Sequence, residues 1–367
     1  MARVAAARTS FRWTPAVAIW EVTRACALKC RHCRATAVPH RDPAELTTAE
    51  GLDLLDQVAE LMAPRAGAPP GVLVLTGGDP LERPDLETLV AEAVRRGIRV
   101  ALAPSVTPRL TPDAIARLAR AGVQRIALSL DGPDAAVHDG LRGVEGSFER
   151  TLEAIAAVRA AGVPLQINTS LDQQTVDALP RTAALVHEIA PVLWSVFVVV
   201  PVGRAGLAKQ LDTETCERVF HLLYDWSEAT GLAVKTTAAE AYRRVALQRE
   251  AARAWREPGR PRRPVPLAVN DGKGFVFVSH TGDVSPSGFL PLVAGNVRRE
   301  RLAAVYRWSP LFRRLRDETL LEGKCGRCSF RVVCGGSRAR AWATTGNAWA
   351  EDPACAYQPP DPAADPR

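Results

Sequence analysis

The stretch AVAIWEVTRACALKCRHC, residues 16–33, joins an apolar run to three closely spaced cysteines. The run 16–22 is short and rich in aliphatic and β-branched residues, which is typical of a buried strand. Cys26, Cys30 and Cys33 follow on one tight loop, and thiolates are soft ligands that select iron–sulfur clusters, zinc or copper(I). The spacing alone leaves open a zinc site with a distant fourth ligand, for instance His32 or His40.

Five more strand candidates follow, and amphipathic stretches with helical periodicity separate them. The strand candidates are residues 72–76, 98–103, 125–130, 164–169 and 194–200, and the helix candidates are 47–62, 84–96, 111–121, 147–161 and 175–189. This alternation predicts an α/β fold with a parallel sheet, wound either as an open doubly wound sheet or as part of a barrel. Both arrangements place chemistry at the carboxyl ends of the strands, where the unusual residues of this chain lie.

Composition limits the partners. The chain has 47% hydrophobic and 24% charged residues, as ordinary globular proteins do, and no apolar stretch is long enough for a membrane span. No signal peptide is evident, so we expect a cytoplasmic protein without membrane contact. The net charge of +7 comes mainly from arginines spread along the whole chain, so we expect no nucleic-acid partner. We expect the densest basic run, 253–263, to be a solvated loop.

Beyond residue 210 the pattern changes. We expect helices at 213–229, 238–252 and near 300–316, a short strand at 233–236, and a hairpin of 274–279 with 283–285. A second group of four cysteines, Cys325, Cys328, Cys334 and Cys355, supplies enough thiolates for one closed [4Fe–4S] cluster or for a structural zinc ion. Disulfides are not expected in a reducing compartment. Cys216 stands apart and is predicted to be a small buried hydrophobe.

The first cysteine loop, from Trp20 through Cys33-Arg34-Ala35, resembles the cluster loop of the radical S-adenosylmethionine (SAM) superfamily. It is similar in particular to members of heme and heme d1 synthesis and to the SPASM-domain peptide maturases. The second group, with Gly282-Asp283-Val284 and Gly295-Asn296-Val297 before it, resembles their C-terminal ends. The resemblance implies a partial (β/α)6 TIM-like barrel with a small C-terminal α+β SPASM-like iron–sulfur domain. The implied division is a core at 1–210, linker helices with a Pro/Arg-rich loop at 211–265, an auxiliary-cluster domain at 266–357 and a disordered tail at 358–367.

The resemblance also implies the chemistry. SAM would chelate the open iron of a [4Fe–4S] cluster held by the first three cysteines, and one electron would cleave SAM to a 5′-deoxyadenosyl radical that abstracts hydrogen from a substrate. A flavodoxin or ferredoxin would supply the electron. The later four cysteines would hold a second, auxiliary [4Fe–4S] cluster. Ser287 and Ser337 stand where many relatives have cysteine, so we expect one auxiliary cluster and not two.

The same resemblance marks residues that would bind SAM. Gly77-Gly78-Asp79-Pro80 resembles the family's GGE segment, although a simple βα turn is the alternative. Arg142 matches an arginine that contacts the SAM carboxylate, and a surface charge on a helix is the alternative. Ser105 stands where many relatives have the Asn of Thr-Asn-Gly. The remaining candidates are Ser129, Asp131, Asn168 and Val200.

Two substrate classes remain open: a tetrapyrrole side chain and a ribosomal peptide. The local sequence around both cysteine groups is most similar to the heme-pathway members and therefore favours the tetrapyrrole. The first strand begins almost at the N-terminus, so we expect no fused leader-binding domain ahead of it. A different class of function is a non-enzymatic iron–sulfur or zinc module for electron transfer or nucleic acid. That alternative explains the cysteines but not Gly77-Gly78-Asp79-Pro80 or Ser129-Leu130-Asp131-Gly132.

Overall fold

The computed structural model describes residues 11–65, 70–207, 209–259, 261 and 268–360. Its first part repeats a strand-then-helix unit. The strands are β1 (Val17–Thr23), β2 (Val72–Gly77), β3 (Val100–Leu102), β4 (Arg125–Ser129), β5 (Leu165–Leu171) and β6 (Leu193–Val198). The helices are α1 (Thr48–Leu61), α2 (Leu86–Arg95), α3 (Pro112–Arg120), α4 (Ala135–Arg142), α5 (Ser147–Ala160) and α6 (Leu179–Ile189).

The later part of the chain has shorter elements. They are α7 (Thr213–Thr230), β7 (Val234–Thr237), α8 (Ala241–Arg256), β8 (Phe275–Val278), β9 (Asp283–Ser285), β10 (Gly295–Asn296), α9 (Leu302–Trp308), α10 (Pro310–Leu315), α11 (Gly323–Arg327) and α12 (Arg338–Thr345). Strands β8 and β9 pair antiparallel, which confirms the predicted hairpin.

All ten strands form one sheet in the order β10-β9-β8-β1-β2-β3-β4-β5-β6-β7. From β1 to β7 each strand pairs in parallel with the next one along the chain. A doubly wound sheet would reverse its strand order at a switch point, so the consecutive order is that of a partial barrel. The sheet continues beyond the six expected strands, because β7 pairs with β6 and β8 pairs in parallel with β1.

One apolar core joins the barrel to the C-terminal elements. Leu54 of α1, Trp20 of β1 and Val196 of β6 are fully buried in it together with Val276 of β8 and Tyr306 of α9. Polar contacts follow the same path. Gln57 of α1 donates to the carbonyl of Val297 at 3.3 Å and accepts from the backbone N–H of Leu302 at 2.8 Å. The C-terminal elements therefore pack firmly against the barrel.

Three differences from the sequence-based expectations have simple causes. Helix α4 was not predicted, because it is short and its only strong signal is Asp134, whose side chain caps the first turn at Val137. The helix expected near 300–316 is two helices, since Pro310 lacks an N–H and disfavours a helical residue before it. The segment 253–256 is not loop but the last turn of α8, where Arg253 contacts Glu250.

Residues 257–259 and 261 of the basic run are exposed and lie outside any helix or strand, as predicted. Residues 260 and 262–263 lie outside the described residues, as do residues 361–367 of the expected disordered tail. In the part of the chain that the structure describes, no helix combines the length and apolar character needed to cross a bilayer.

Two helix ends offer a matched stability test. Ala190, after α6, has left-handed backbone angles (φ 45°, ψ 59°), whereas α7 ends at Gly231 with φ 72°. A side chain in this region costs roughly 1 kcal/mol, and Gly231 has open space where a Cβ would lie. We expect Ala190→Gly to raise the apparent melting temperature by about 1–2 °C. Gly231→Ala should lower it by a similar amount in anaerobic thermal unfolding. A lower melting temperature for Ala190→Gly would contradict this assignment of strain.

Candidate active site

The three early cysteines lie on the loop that leaves β1. Cys26 and Cys30 are buried, Cys33 is partly buried, and none of the three forms a disulfide. The loop is tied down because Cys26 N–H donates to the carbonyl of Val38 at 2.8 Å. Backbone N–H groups also point at the sulfurs: Leu28 donates to Cys26 Sγ at 3.4 Å and Ala37 to Cys33 Sγ at 3.5 Å. Such hydrogen bonds stabilise thiolates in iron–sulfur sites.

The Gly77-Gly78 turn at the end of β2 packs directly on this loop. Gly78 N–H donates to the carbonyl of Thr23 at 2.8 Å, and Asp79 N–H donates to that of Ala25 at 2.7 Å. A Cβ on Gly78 would lie 2.3 Å from the Ala25 oxygen, far inside van der Waals contact. The two backbones can approach this closely only because no side chain separates them.

Asp79 lies beneath the turn. Its carboxylate is fully buried and accepts from Thr107 Oγ1 at 2.6 Å and from Leu81 N–H at 3.2 Å. Burial raises the pKa of Asp79 to about 6. Ser105 Oγ donates to the Gly78 carbonyl at 2.7 Å and lies 3.5 Å from Cys26 Sγ. Ser105 therefore connects the glycine turn to the first cysteine.

Arg142, at the end of α4, is mostly buried, with 12% of its side chain exposed, and is held by the buried Asp131 at the end of β4. Its Nε and Nη2 lie 2.7 and 2.5 Å from Asp131 Oδ2, and the other oxygen, Oδ1, accepts from Ser170 N–H at 2.7 Å. Burial opposes ionisation of Asp131, but the guanidinium lowers its pKa below the usual range. Arg142 Nη1 lies 3.8 Å from Cys30 Sγ. The alternative of a surface helix charge is therefore wrong.

A cavity of about 340 Å³ opens inside the barrel beside these groups. It brings together the three early cysteines and most of the residues predicted to bind SAM. Those on its wall are Cys26, Cys30, Cys33, Gly77, Gly78, Ser105, Ser129, Arg142, Asn168 and Val200. The described lining does not include Asp79, Pro80 or Asp131. Asp79 and Asp131 lie behind it, where their side chains hold Thr107 and Arg142.

The four later cysteines also come together. Cys325 and Cys328 flank the end of α11, and burial raises the pKa of Cys328, with the neighbouring Cys325 raising it further. Burial likewise raises the pKa of Cys334 and of Cys355. Cys355 also raises the pKa of Cys334, so these two thiols lie within electrostatic reach of each other.

Hydrogen bonds to sulfur recur at this second group. Phe330 N–H donates to Cys328 Sγ, and Gly336 N–H donates to Cys334 Sγ, each at 3.4 Å. Asp352 N–H and Arg338 Nη2 lie 3.4 and 3.7 Å from Cys325 Sγ. The backbone of Tyr357 also hydrogen-bonds to Cys355, so each of the four predicted ligands has at least one hydrogen-bond donor.

In the described parts of the chain, no three His, Cys, Asp or Glu side chains converge tightly enough to hold one metal ion. A [4Fe–4S] cluster binds each cysteine through a different iron, so its thiolates lie farther apart than the ligands of a single ion. Cys216 on α7 is fully buried, and burial raises its pKa to about 11. It is packed as a small hydrophobe, as predicted.

Comparison with known proteins identifies the family. Residues 20–186 match the sequence profile described as the Radical SAM superfamily. The chain is 39% identical to AdoMet-dependent heme synthase of Nitratidesulfovibrio vulgaris (strain Hildenborough), over 93% of this chain and 92% of that protein. The chain belongs to the radical SAM superfamily.

Other similarities point to the same radical SAM fold. PqqA peptide cyclase of Streptomyces rochei is 32% identical, over 94% of this chain and 90% of that protein. The crystal structure of Streptococcus suis SuiB bound to S-adenosylmethionine superposes with a TM-score of 0.70 at 16% identity. That superposition covers 94% of this chain and 78% of SuiB, and it confirms the expected α/β partial barrel.

The first site fits the cluster and cofactor of a radical SAM enzyme. Three thiols with N–H donors would hold the cluster and leave one iron open toward the cavity. Arg142 offers guanidinium N–H groups there, and the Gly77-Gly78 turn offers backbone close to the cysteines. Asp131 positions Arg142, and Asp79 lies beneath the glycine turn; both carboxylates lie behind the cavity wall.

Several cavity residues were missed by the sequence analysis. Arg204 donates from Nε to the Cys30 carbonyl at 3.1 Å and so supports the cysteine loop of this radical SAM protein. His32, which the sequence analysis considered only as a zinc ligand, also lines the cavity. Burial lowers its pKa to about 4, and its Nδ1 has no hydrogen-bond partner in the described structure. Ser195 and Lys235 lie on β6 and β7. Side chains alternate between the two faces of a strand, which was the available signal. It could place Ser195 and Lys235 on the cavity face only once the neighbouring strands were known.

The close approach of the glycine turn can be tested with one methyl group. Gly78→Ala would push the turn away from Ala25, so we expect lower iron content and a SAM affinity about tenfold weaker or more. Gly140→Ala is the control, because this helical glycine has open space where its Cβ would lie. Iron analysis and SAM titration of both anaerobically purified variants provide the measurement. Wild-type iron and SAM affinity in Gly78→Ala would refute the role assigned to the turn.

Proposed function

We propose that this radical SAM protein abstracts hydrogen from a carboxylate-bearing side chain of a tetrapyrrole. The observation that carries the proposal is the similarity to a heme synthase along nearly the whole of both chains. The cavity chemistry supports it, because Phe197, Phe275, Phe277 and Phe289 give its wall a large aromatic surface. A flat, apolar macrocycle would bury well against such a wall.

Each group at the first site has a part in this proposal. Cys26, Cys30 and Cys33 hold the SAM-binding cluster. When bound, the cluster and SAM would together supply a carbon-centred radical able to remove a hydrogen atom from the substrate. Arg142, oriented by Asp131, donates hydrogen bonds to the carboxylate of SAM. The remaining wall residues orient the cofactor; they are Gly77, Gly78, Ser105, Ser129, Asn168 and Val200.

One auxiliary [4Fe–4S] cluster, held by Cys325, Cys328, Cys334 and Cys355, completes the proposal. The serines that replace cysteines in this chain support a single cluster. Ser337 accepts from Arg340 N–H at 3.2 Å and caps α12, and Ser287 hydrogen-bonds with the buried Asp271. We assign the auxiliary cluster to accept the electron left on the substrate. A flavodoxin or ferredoxin in the cytoplasm would be the donor to the first cluster.

A peptide substrate is the second candidate, and the similarity to a PqqA peptide cyclase favours it. The two substrates differ in what the cavity must admit: a peptide enters as an extended chain, whereas a macrocycle must fit whole against the aromatic wall.

The substrate class is tested directly with a porphyrin. Anaerobic, cluster-replete protein is incubated with SAM, a reductant and iron coproporphyrin III, and the porphyrin is followed by mass spectrometry. We expect a mass change in the porphyrin that requires SAM. Continued cleavage of SAM with an unaltered porphyrin would contradict the tetrapyrrole proposal and leave the peptide candidate.

The first cluster is tested by Cys30→Ala, with Cys216→Ala as the matched buried-cysteine control. We expect Cys30→Ala to abolish reductive SAM cleavage, because a two-thiolate site cannot hold the cluster, while the auxiliary cluster remains. Cys216→Ala should cleave SAM as the wild type does. Unchanged 5′-deoxyadenosine production by Cys30→Ala would defeat the assignment.

The auxiliary site is tested by Cys328→Ala. We expect SAM cleavage without substrate to continue, since the first cluster lies on a separate loop, while substrate product is lost. Iron content and 5′-deoxyadenosine are measured together on soluble protein. Loss of SAM cleavage with an intact first cluster would show that SAM cleavage does not depend on the first cluster alone.

A further inference from the structure

A polar row crosses the barrel wall below the first cysteine group. Ser129 of β4 lies in register with Asn168 of β5, Asn168 with Ser195 of β6, and Ser195 with Lys235 of β7. Residues in register on neighbouring parallel strands point to the same face, and all four line the cavity. The first two were expected at the SAM site, so the row leads from that site toward Lys235.

Lys235 carries a positive charge into the cavity without a negative partner. No carboxylate of the described structure forms an ion pair with it, and its Nζ lies 5.4 Å from the centre of the Phe275 ring. Burial and the charges of Arg243 and Arg125 all lower its pKa, to about 8. The other charged groups near it are therefore repulsive.

The acidic side chains on the cavity wall do not neutralise the charge of Lys235. Glu240 and Asp271 line the cavity, and each lies within electrostatic reach of Arg243. The groups that act on Lys235 include neither of them. An ammonium in a partly apolar cavity is costly unless an anion accompanies it. An anion bound beside Lys235 would offset that cost.

Ser195 adds a second unsatisfied group beside Lys235. Its side chain is fully buried, and its hydroxyl has no hydrogen-bond partner in the described structure. A buried hydroxyl without a partner is uncommon in native proteins. A carboxylate between the two would accept from the hydroxyl and from the ammonium at once.

We propose that Lys235 and Ser195 bind a carboxylate of the substrate, at the far end of the polar row from the SAM site. This inference rests on the proposed function and adds to it the residues that recognise the substrate. Phe275, next to Lys235, covers the apolar part of the molecule, so the substrate is oriented by one charged and one aromatic contact.

The test compares a porphyrin acid with its ester. Wild-type protein with SAM is titrated anaerobically with iron coproporphyrin III and with its methyl ester, followed by absorbance. We expect the wild type to prefer the acid by about tenfold or more, and Lys235→Met to lose most of that preference by binding the acid more weakly. Lys235→Arg keeps the charge and should retain part of the preference. Lys209→Met, at an exposed lysine, is the control and should bind as the wild type does.

Iron content and SAM affinity of Lys235→Met show whether the variant is intact, and both should equal those of the wild type. A parallel loss of SAM affinity would overturn the inference, because the lysine would then serve the cofactor. An acid preference that persists in Lys235→Met would overturn it while leaving the proposed function standing. If the wild type binds neither porphyrin, the proposed tetrapyrrole substrate itself fails, and the carboxylate site fails with it.

Discussion

The contact between the Gly77-Gly78 turn and the cysteine loop is the constraint on which the site depends. Two backbone hydrogen bonds, to the carbonyls of Thr23 and Ala25, hold the end of β2 against the residues that lead into Cys26. The cysteines and the glycines are thus one rigid unit, although about 45 residues of chain separate them. Metal chemistry needs ligands held in place, and here the main chain itself supplies that rigidity.

Charge on the cavity wall follows a consistent arrangement. Arg142 is neutralised by Asp131, and Arg34 by Glu21 at 3.0 Å, so each has a fixed carboxylate and a defined orientation. Lys235 differs, because its surroundings are cationic. Arg204 and Arg243 also line the cavity, and they donate to the backbone carbonyls of Cys30 and Val333. A bound anion would in the same way stabilise the ammonium of Lys235.

Much of this architecture could be predicted from sequence, and the failures have physical reasons. The strands β1 to β6 contain short runs of aliphatic and β-branched residues, so composition reveals them, although in β5 buried residues alternate with half-buried ones. Strand β7 (VKTT) is short and polar, and its membership in the sheet became evident only from its pairing with β6. The role of Asp131 was misplaced for a related reason: the SLDG segment indicates a strand end, but not that the carboxylate turns inward toward Arg142. The role proposed for Lys235 could be recognised only from the structure, because it depends on the strand register and on the charges around the side chain.

The parallel pairing of β8 with β1 has a consequence for synthesis. Val17 finds its partner Phe275 only after most of the chain has been made, an interval on the order of ten to fifty seconds at ~5–20 residues per second. Until then one side of β1 is an open strand edge with unpaired N–H and C=O groups, which is the kind of surface that joins other chains. The nascent protein therefore depends on its own late hairpin, or on a chaperone in the meantime, to keep its first strand from aggregating.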